Sequence, residues 1–136
     1  MVIDSSALLA IIFGEPDART YANAIFANFE PNRSVRLPAS VLVEASIVAE
    51  SRKGHHGQTL ALLLDHIQPE IIPLSAPIAQ LSVEAFRKFG KGLHKASLNF
   101  GDCMSYATAE FFKEPLLYKG NDFALTPVRS VLPKRH

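Results

Sequence analysis

Residues 2–13, VIDSSALLAIIF, contain the pattern that decides the fold. Residues 2–3 form a short apolar strand that ends at Asp4, and a helix is predicted to follow over residues 7–13. A short strand that is apolar throughout, joined at once to an apolar helix, is typical of a parallel sheet buried on both faces. The first residues therefore favour an α/β protein.

The same alternation continues to the end of the chain. Further strands are predicted at residues 34–38, 70–74 and 115–119, with a last strand at 130–132. Further helices are predicted over residues 17–29, 39–53, 58–68, 76–90 and 100–112, with a short helix or turn at 121–125. We expect a single domain over residues 1–136, a three-layer α/β/α sandwich around a central, mostly parallel, short-stranded sheet.

Local signals give two more expectations about these helices. Serines stand where helices are predicted to begin, with Ser5 or Ser6 as the cap of the first helix and Ser40 opening helix 39–53. Helical spacing predicts one apolar face on helix 17–29, made by Tyr21, Ile25, Phe26 and Phe29.

Composition excludes several classes of protein. Of the 136 residues 48% are hydrophobic and 20% are charged, which excludes a disordered chain. The net charge is +1, so any nucleic-acid surface has to be local. The single cysteine, Cys103, excludes a disulfide framework and a cysteine zinc cluster, and it is predicted to be a small core residue of a cytoplasmic protein. No apolar run is long enough for a membrane span.

Four acidic residues stand in unusual places. Asp4 and Asp122 follow apolar strands, Glu44 interrupts the apolar run SVLVEASIV, and Asp102 lies in the first turn of helix 100–112. Ligands of open parallel sheets bind beyond the carboxyl ends of the strands, where these acids are expected to meet. Four carboxylates without an evident basic partner suit a hard divalent ion, Mg²⁺ or Mn²⁺. Each acid alone also has an ordinary explanation, such as a helix-terminal acid for Asp102 or an Asx turn for Asp122.

These segments resemble a known family. VIDSSALLAIIFGEPDA, ASVLVEASIV, LNFGDCMSYATA and PLLYKGNDFALT, in this order and spacing, are similar to the PIN-domain ribonucleases, and more closely to the VapC toxins. The resemblance implies that Asp4, Glu44, Asp102 and Asp122 are the acidic quartet of the family, and that Ser6 positions a phosphate or a metal-bound water. Relatives often carry a further acid where this chain has Pro127.

The function that the resemblance implies is a Mg²⁺-dependent endoribonuclease, the toxin of a type II toxin–antitoxin pair. It also implies a VapB-like antitoxin, which would place an apolar segment and a basic side chain near the carboxylates, and a homodimer. A catalytically weakened PIN module that binds RNA or protein is the alternative. A haloacid-dehalogenase-like phosphatase is disfavoured, because that class needs a second Asp where this chain has Ser6.

A basic segment precedes the Asp102 helix. Residues 87–95, RKFGKGLHK, contain no acid, and they could form a path for RNA along the site. A solvated helix end explains the same charges equally well. The candidate RNA-binding residues are Arg87, Lys88, Lys91 and Lys95.

Overall fold

A parallel sheet forms the centre of the molecule. The computed structural model describes residues 1–26 and 34–134. In these residues the strands are Val2–Ile3 (β1), Arg36–Pro38 (β2), Glu70–Ile72 (β3) and Leu116–Leu117 (β4). Their order across the sheet is β3-β2-β1-β4, and all three strand pairings are parallel. The predicted α/β class is therefore confirmed.

Helices connect the strands and cover both faces of the sheet. They are α1 (Ser5–Ile12), α2 (Ala18–Phe26), α3 (Ala39–Ser51), α4 (His56–Ile67), α5 (Ala76–Phe89) and α6 (Phe100–Phe112), and a 3₁₀ helix spans Phe123–Leu125. In the parts of the chain that the structure describes, no helix is long and apolar enough to cross a membrane.

Buried apolar side chains cover both faces of the sheet because successive strand residues point to opposite sides. Ile3 is buried in one core, which α1 to α4 cover. Its neighbour Val2 is buried in the other, together with side chains of α5 and α6. This arrangement is the predicted three-layer sandwich, and it leaves the carboxyl ends of β1 and β4 close together, with the Asp4 N–H donating to the Leu117 carbonyl at 2.9 Å.

The predicted helix caps are wrong in two places. Asp4, and neither Ser5 nor Ser6, is the N-cap of α1, because its side chain accepts a hydrogen bond from the Ser6 N–H. Ser40 lies inside α3, where Pro38 holds the N-cap position without a side-chain hydrogen bond. In both places the strand runs directly into the helix, so the first helical turn begins earlier than the serines suggest.

Two further expectations are only partly met. Residues 130–132 do not form a strand: Ser130 makes an isolated bridge with Leu116, and Pro133 lacks the N–H that would continue the pairing. On α2, Tyr21 and Ile25 are buried as predicted, whereas Phe26 is 39% exposed. Phe29 lies outside the described residues.

Candidate metal centre

Asp4 is the buried centre of the candidate site. It is only 4% exposed, and its carboxylate accepts three hydrogen bonds. The Ser6 N–H and Ser6 Oγ donate to Oδ2 at 3.1 and 2.6 Å, and Ser105 Oγ donates to Oδ1 at 2.6 Å. Hydrogen bonds to an ionised group offset much of the free energy that its burial costs. The side chain is therefore held in one orientation by partners from two helices.

Ser6 is part of a relay of hydrogen bonds. Its hydroxyl accepts from the Lys119 backbone N–H at 3.0 Å and donates its only proton to Asp4. Ser6 can therefore accept a hydrogen bond from a water molecule in this arrangement but cannot donate one. The relay also ties the segment after β4 to the start of α1.

Asp102 is presented by a capping box at the start of α6. Its N–H donates to Asn99 Oδ1 at 2.9 Å, and its own Oδ2 accepts from the Asn99 N–H at 3.0 Å. Burial raises the pKa of Asp102, and the hydrogen bond from Asn99 lowers it. The carboxylates of Asp4, Asp122 and Glu44 raise this pKa further, to about 6. The four candidate acids are therefore close enough in space to interact electrostatically.

Glu44 differs from its sequence-based interpretation. The apolar run around it predicts burial, but Glu44 is exposed, and Val43 and Ile47 on the same helix are 57% and 63% exposed. Glu44 Oε1 accepts from Ser5 Oγ at 2.8 Å. A Cβ at Gly101 would lie 2.3 Å from Glu44 Oε2, so the absence of a side chain there leaves room for the carboxylate beside the first turn of α6.

Asp122 is exposed and directly precedes the 3₁₀ helix. It lies five residues after β4, on the segment whose backbone at Lys119 contacts Ser6. The Asp122 carboxylate raises the pKa of Asp102 by more than the Glu44 carboxylate does. Asp122, which follows β4, thus lies at the same edge of the sheet as Asp4, which follows β1.

The chemistry of the donors suits a hard cation, although the carboxylates are not gathered at ligand distances. Within residues 1–26 and 34–134, no group of three or more His, Cys, Asp or Glu side chains is close enough to hold a metal ion as they stand. Carboxylate oxygens are the ligands that Mg²⁺ and Mn²⁺ prefer, and Gly101 leaves space between α3 and α6, so the residues present fit such an ion.

Four contacts at or near the candidate site join residues that are distant in sequence. Ser105 contacts Asp4 across 101 residues of chain, and Ser5 contacts Glu44 across 39. The Lys119 ammonium forms ion pairs with Glu15 and Asp17, which follow α1. These side chains lie in the segments that resemble the family, but nothing within each segment indicates the partner, and only the fold brings each of them to it.

The basic segment is exposed and leads into the Asp102 turn. Arg87 and Lys88 lie in the last turn of α5, and the loop after it closes through a bridge between Gly90 and Leu98. All four candidate RNA-binding residues are exposed: Arg87, Lys88, Lys91 and Lys95. Cys103, next to Asp102, is 4% exposed, which confirms it as a core residue.

Comparison with known proteins identifies the family to which this fold and this acidic edge belong. The family model of the PIN domain matches residues 1–128. Ribonuclease VapC of Mycolicibacterium smegmatis is 42% identical over 132 residues, which cover 96% of this chain and 99% of that protein. Ribonuclease VapC30 of Mycobacterium tuberculosis is 38% identical over 133 residues, or 96% and 98% of the two chains. The chain therefore belongs to the PIN-domain family.

Within that family it is one of the VapC ribonucleases, the toxins of toxin–antitoxin systems. Solved structures share its fold. The crystal structure of Mycobacterium tuberculosis VapC20, a sarcin–ricin loop cleaving toxin, has a TM-score of 0.76 at 18% identity and covers 97% of this chain and 98% of its own. A toxin–antitoxin complex from Klebsiella pneumoniae has a TM-score of 0.69 at 22% identity, with 93% and 92% covered.

Proposed function

We propose that this ribonuclease hydrolyses RNA phosphodiester bonds with one or two Mg²⁺ or Mn²⁺ ions held by Asp4, Glu44, Asp102 and Asp122. The observation that supports this site is electrostatic: the other three carboxylates all raise the pKa of Asp102. PIN and VapC ribonucleases are typically metal-dependent, which agrees with a set of acids that needs a cation. The alternative is a weakened module that binds RNA or protein without cleaving it.

The metal would supply two kinds of chemistry when bound: a lower pKa for an attacking water, and compensation of the charge that develops on the phosphate. The chain supplies the geometry. Asp4 is fixed by its three donors, Asp102 by the capping box, and Glu44 by Ser5. Ser6 orients Asp4 and retains an acceptor position for a water.

The number of metal ions depends on the ligands available near the 3₁₀ helix. Pro127 is exposed and brings no carboxylate to the position where relatives often carry a further acid. We therefore expect the site to bind the first ion more tightly than any second. The measurement is the stoichiometry of Mn²⁺ binding, and two equally tight sites would contradict this expectation.

The path for RNA is proposed to cross the basic segment. Arg87, Lys88, Lys91 and Lys95 are exposed, and none of them forms an ion pair among the described residues. Their charges are therefore available to phosphates. The loop that carries two of them ends at Asn99, the cap of the helix that presents Asp102, which leads a bound strand toward the acids.

The antitoxin is proposed to cover apolar side chains beside the acids. Phe100 is 82% exposed, and it directly precedes Gly101, against which the Glu44 carboxylate lies. Val43 and Ile47, one helical turn apart on α3, add to this surface. An apolar antitoxin segment would pack on these exposed side chains, and one basic side chain of that segment would lie near the acids. Co-purification with a small DNA-binding protein encoded directly upstream would support this partner.

Three further properties are proposed on the same basis. The chain forms one PIN-like domain over residues 1–136, it pairs as a homodimer, and it acts in the cytoplasm, where its RNA substrate lies. Analytical ultracentrifugation of the purified toxin tests the dimer. A sedimentation mass of about 15 kDa at micromolar concentration would contradict it, since the chain weighs 14.9 kDa.

The experiment that tests the proposed function is metal-controlled cleavage of cellular RNA. Purified protein freed of antitoxin and of metal should leave RNA intact, and added Mg²⁺ or Mn²⁺ should restore cleavage at defined sites. Sequencing of RNA ends after brief induction in cells should find the same sites. An RNA-binding protein that cleaves nothing at any metal concentration would support the alternative.

A further inference from the structure

Ser105 is a buried polar residue of α6 whose hydroxyl contacts a residue outside its own helix. It lies one turn beyond Asp102 on α6, and it is fully buried, with 0% exposure. Its hydroxyl donates to Asp4 Oδ1 at 2.6 Å, which is short for a hydrogen bond and typical of one to an ionised oxygen. One helix therefore contributes both a carboxylate to the site and a donor to the neighbouring carboxylate.

The hydrogen bonds to Asp4 limit how it can bind a cation. A carboxylate has about four lone-pair positions, two on each oxygen. On Oδ2, both are taken, one by the Ser6 N–H and one by the Ser6 hydroxyl. On Oδ1, Ser105 takes one and leaves one. Asp4 can therefore offer a cation one position on one oxygen, in a direction that Ser105 determines.

We propose that Ser105 is a positioning residue of the metal centre, which holds the Asp4 carboxylate so that it binds the cation through Oδ1 alone. This inference rests on the proposed function, because it concerns how the same acids hold a metal. A purely structural role, in which Ser105 only satisfies a buried carboxylate, predicts a loss of stability without a change in metal affinity.

The test compares two buried hydroxyls on the same helix. Ser105→Ala removes the donor to Asp4, and Thr108→Val is the matched control. Thr108 is 2% exposed, and its hydroxyl donates to the Met104 carbonyl and does not contact Asp4. The measurement is Mn²⁺ binding by isothermal titration calorimetry with the full-length protein, together with the thermal unfolding of each variant.

We expect Ser105→Ala to weaken Mn²⁺ binding about tenfold, the usual effect of losing a partner that orients a ligand. Thr108→Val should bind Mn²⁺ within twofold of the wild type. Ser105→Cys, whose side chain is slightly larger than that of serine and whose thiol is only a weak donor, should also weaken binding. It serves as a second variant if Ser105→Ala folds poorly.

Two other results would overturn the proposal. If the wild type binds Mn²⁺ and both Ser105 variants bind it as tightly as Thr108→Val does, Ser105 has only a structural role and the metal site itself stands. If the wild type binds no Mn²⁺, the proposed metal centre and the positioning role fail together.

Discussion

Two groups of acids lie near the same edge of the sheet, and among the described residues only one of them is neutralised by a basic side chain. Glu15 and Asp17 share the ammonium of Lys119. By contrast, Asp4, Glu44, Asp102 and Asp122 form no ion pair with a basic side chain among the described residues. The first group needs nothing from outside the chain, and it joins the segment after α1 to the segment after β4. The second group keeps its charge available for a cation from solution.

The pKa values of Asp17 and Asp102, one acid from each group, shift in opposite directions. The hydrogen bond from Lys119 is the main cause that lowers the pKa of Asp17. Burial is the main cause that raises the pKa of Asp102, to about 6. The paired acid therefore stabilises the fold once it is ionised, whereas the unpaired acid destabilises the metal-free fold once it is ionised. If these acids hold a cation as proposed, the unpaired charge of Asp102 lowers stability until the ion binds.

The largest effect is expected when an unpaired acid is neutralised. Asp4→Asn removes the most buried carboxylate of the site and should lower RNA cleavage at least about 100-fold at saturating Mg²⁺, since a group lost from the metal centre costs more than an outer partner does. The control is Asp65→Asn, on the exposed face of α4, which should cleave RNA at the wild-type rate. Equal rates for Asp4→Asn and Asp65→Asn would remove Asp4 from the site.

The next largest effect is expected at basic side chains that form no ion pair among the described residues. Reversing the charges of Arg87, Lys88 and Lys91 to Glu should weaken RNA binding about tenfold at low salt. The slope of log K against log[salt] should become less steep by about 2, because each of the three lost phosphate contacts to a single strand contributes about 0.7 to its magnitude.

A matched variant separates this local effect from the change in net charge. Reversing Arg19, Lys53 and Lys113, which are exposed elsewhere on the surface, changes the net charge by the same amount. Nitrocellulose filter binding at several salt concentrations measures both variants. If they bind RNA equally, the basic segment is a solvated surface and nothing more.

A smaller effect is expected on the stability of the metal-free protein. Because the folded pKa of Asp102 is raised from 3.8 to about 6, the wild type should lose stability as pH rises from about 4 to 6. In Asp102→Asn the amide oxygen can still accept the hydrogen bond from the Asn99 N–H, and the variant should not lose stability over this pH range. It should exceed the wild type by about 1 kcal/mol at pH 7.5, after allowance for solvent screening, and equal it at pH 4.

Urea unfolding with and without Mg²⁺ measures this difference. Saturating Mg²⁺ should stabilise the wild type and not the variant, which reverses their order. A wild type that is the more stable protein at pH 7.5 without metal would show that the site carries no strain from its charges.

The smallest effect is expected at the paired acids. Lys119→Met removes the shared ammonium and should lower the Tm by about 2–4 °C at pH 7. The loss should shrink as the pH falls below 3.8, because the lowered pKa of Asp17 means that its contribution disappears when the folded protein is protonated. Lys53→Met is the control, because Lys53 is exposed and forms no ion pair within residues 1–26 and 34–134. A loss that stays constant as the pH falls well below 3.8 would show that the packing of Lys119, and not its charge, matters.

Much of the fold can be predicted from the sequence because its signals are local. Apolar strands and helical spacing give the order of the elements, and Asp4 is recognisable as the first polar residue after a strand. The caps of α1 and α3 cannot be predicted in this way, because the strand leads directly into the helix and the serines are already helical.

The contacts that shape the site cannot be predicted locally. Ser105 stands in a run of small residues, and its partner Asp4 is 101 residues away. The apolar neighbours of Glu44 suggest burial, yet Glu44 lies with the exposed Val43 and Ile47, while Val41 and Ala45 form the buried face of α3. The segments LNFGDC and YKGNDF carry the family resemblance, whereas only the folded chain brings their acids to one edge.

Anomalous diffraction from crystals grown with Mn²⁺ is the most direct measurement of the central claim, that four acids distant in sequence hold a divalent cation. We expect a manganese peak in contact with carboxylate oxygens of Asp4, Glu44, Asp102 and Asp122, with Asp4 bound through Oδ1. Crystals saturated with Mn²⁺ that place the ion elsewhere, or leave these carboxylates apart and without metal, would contradict it.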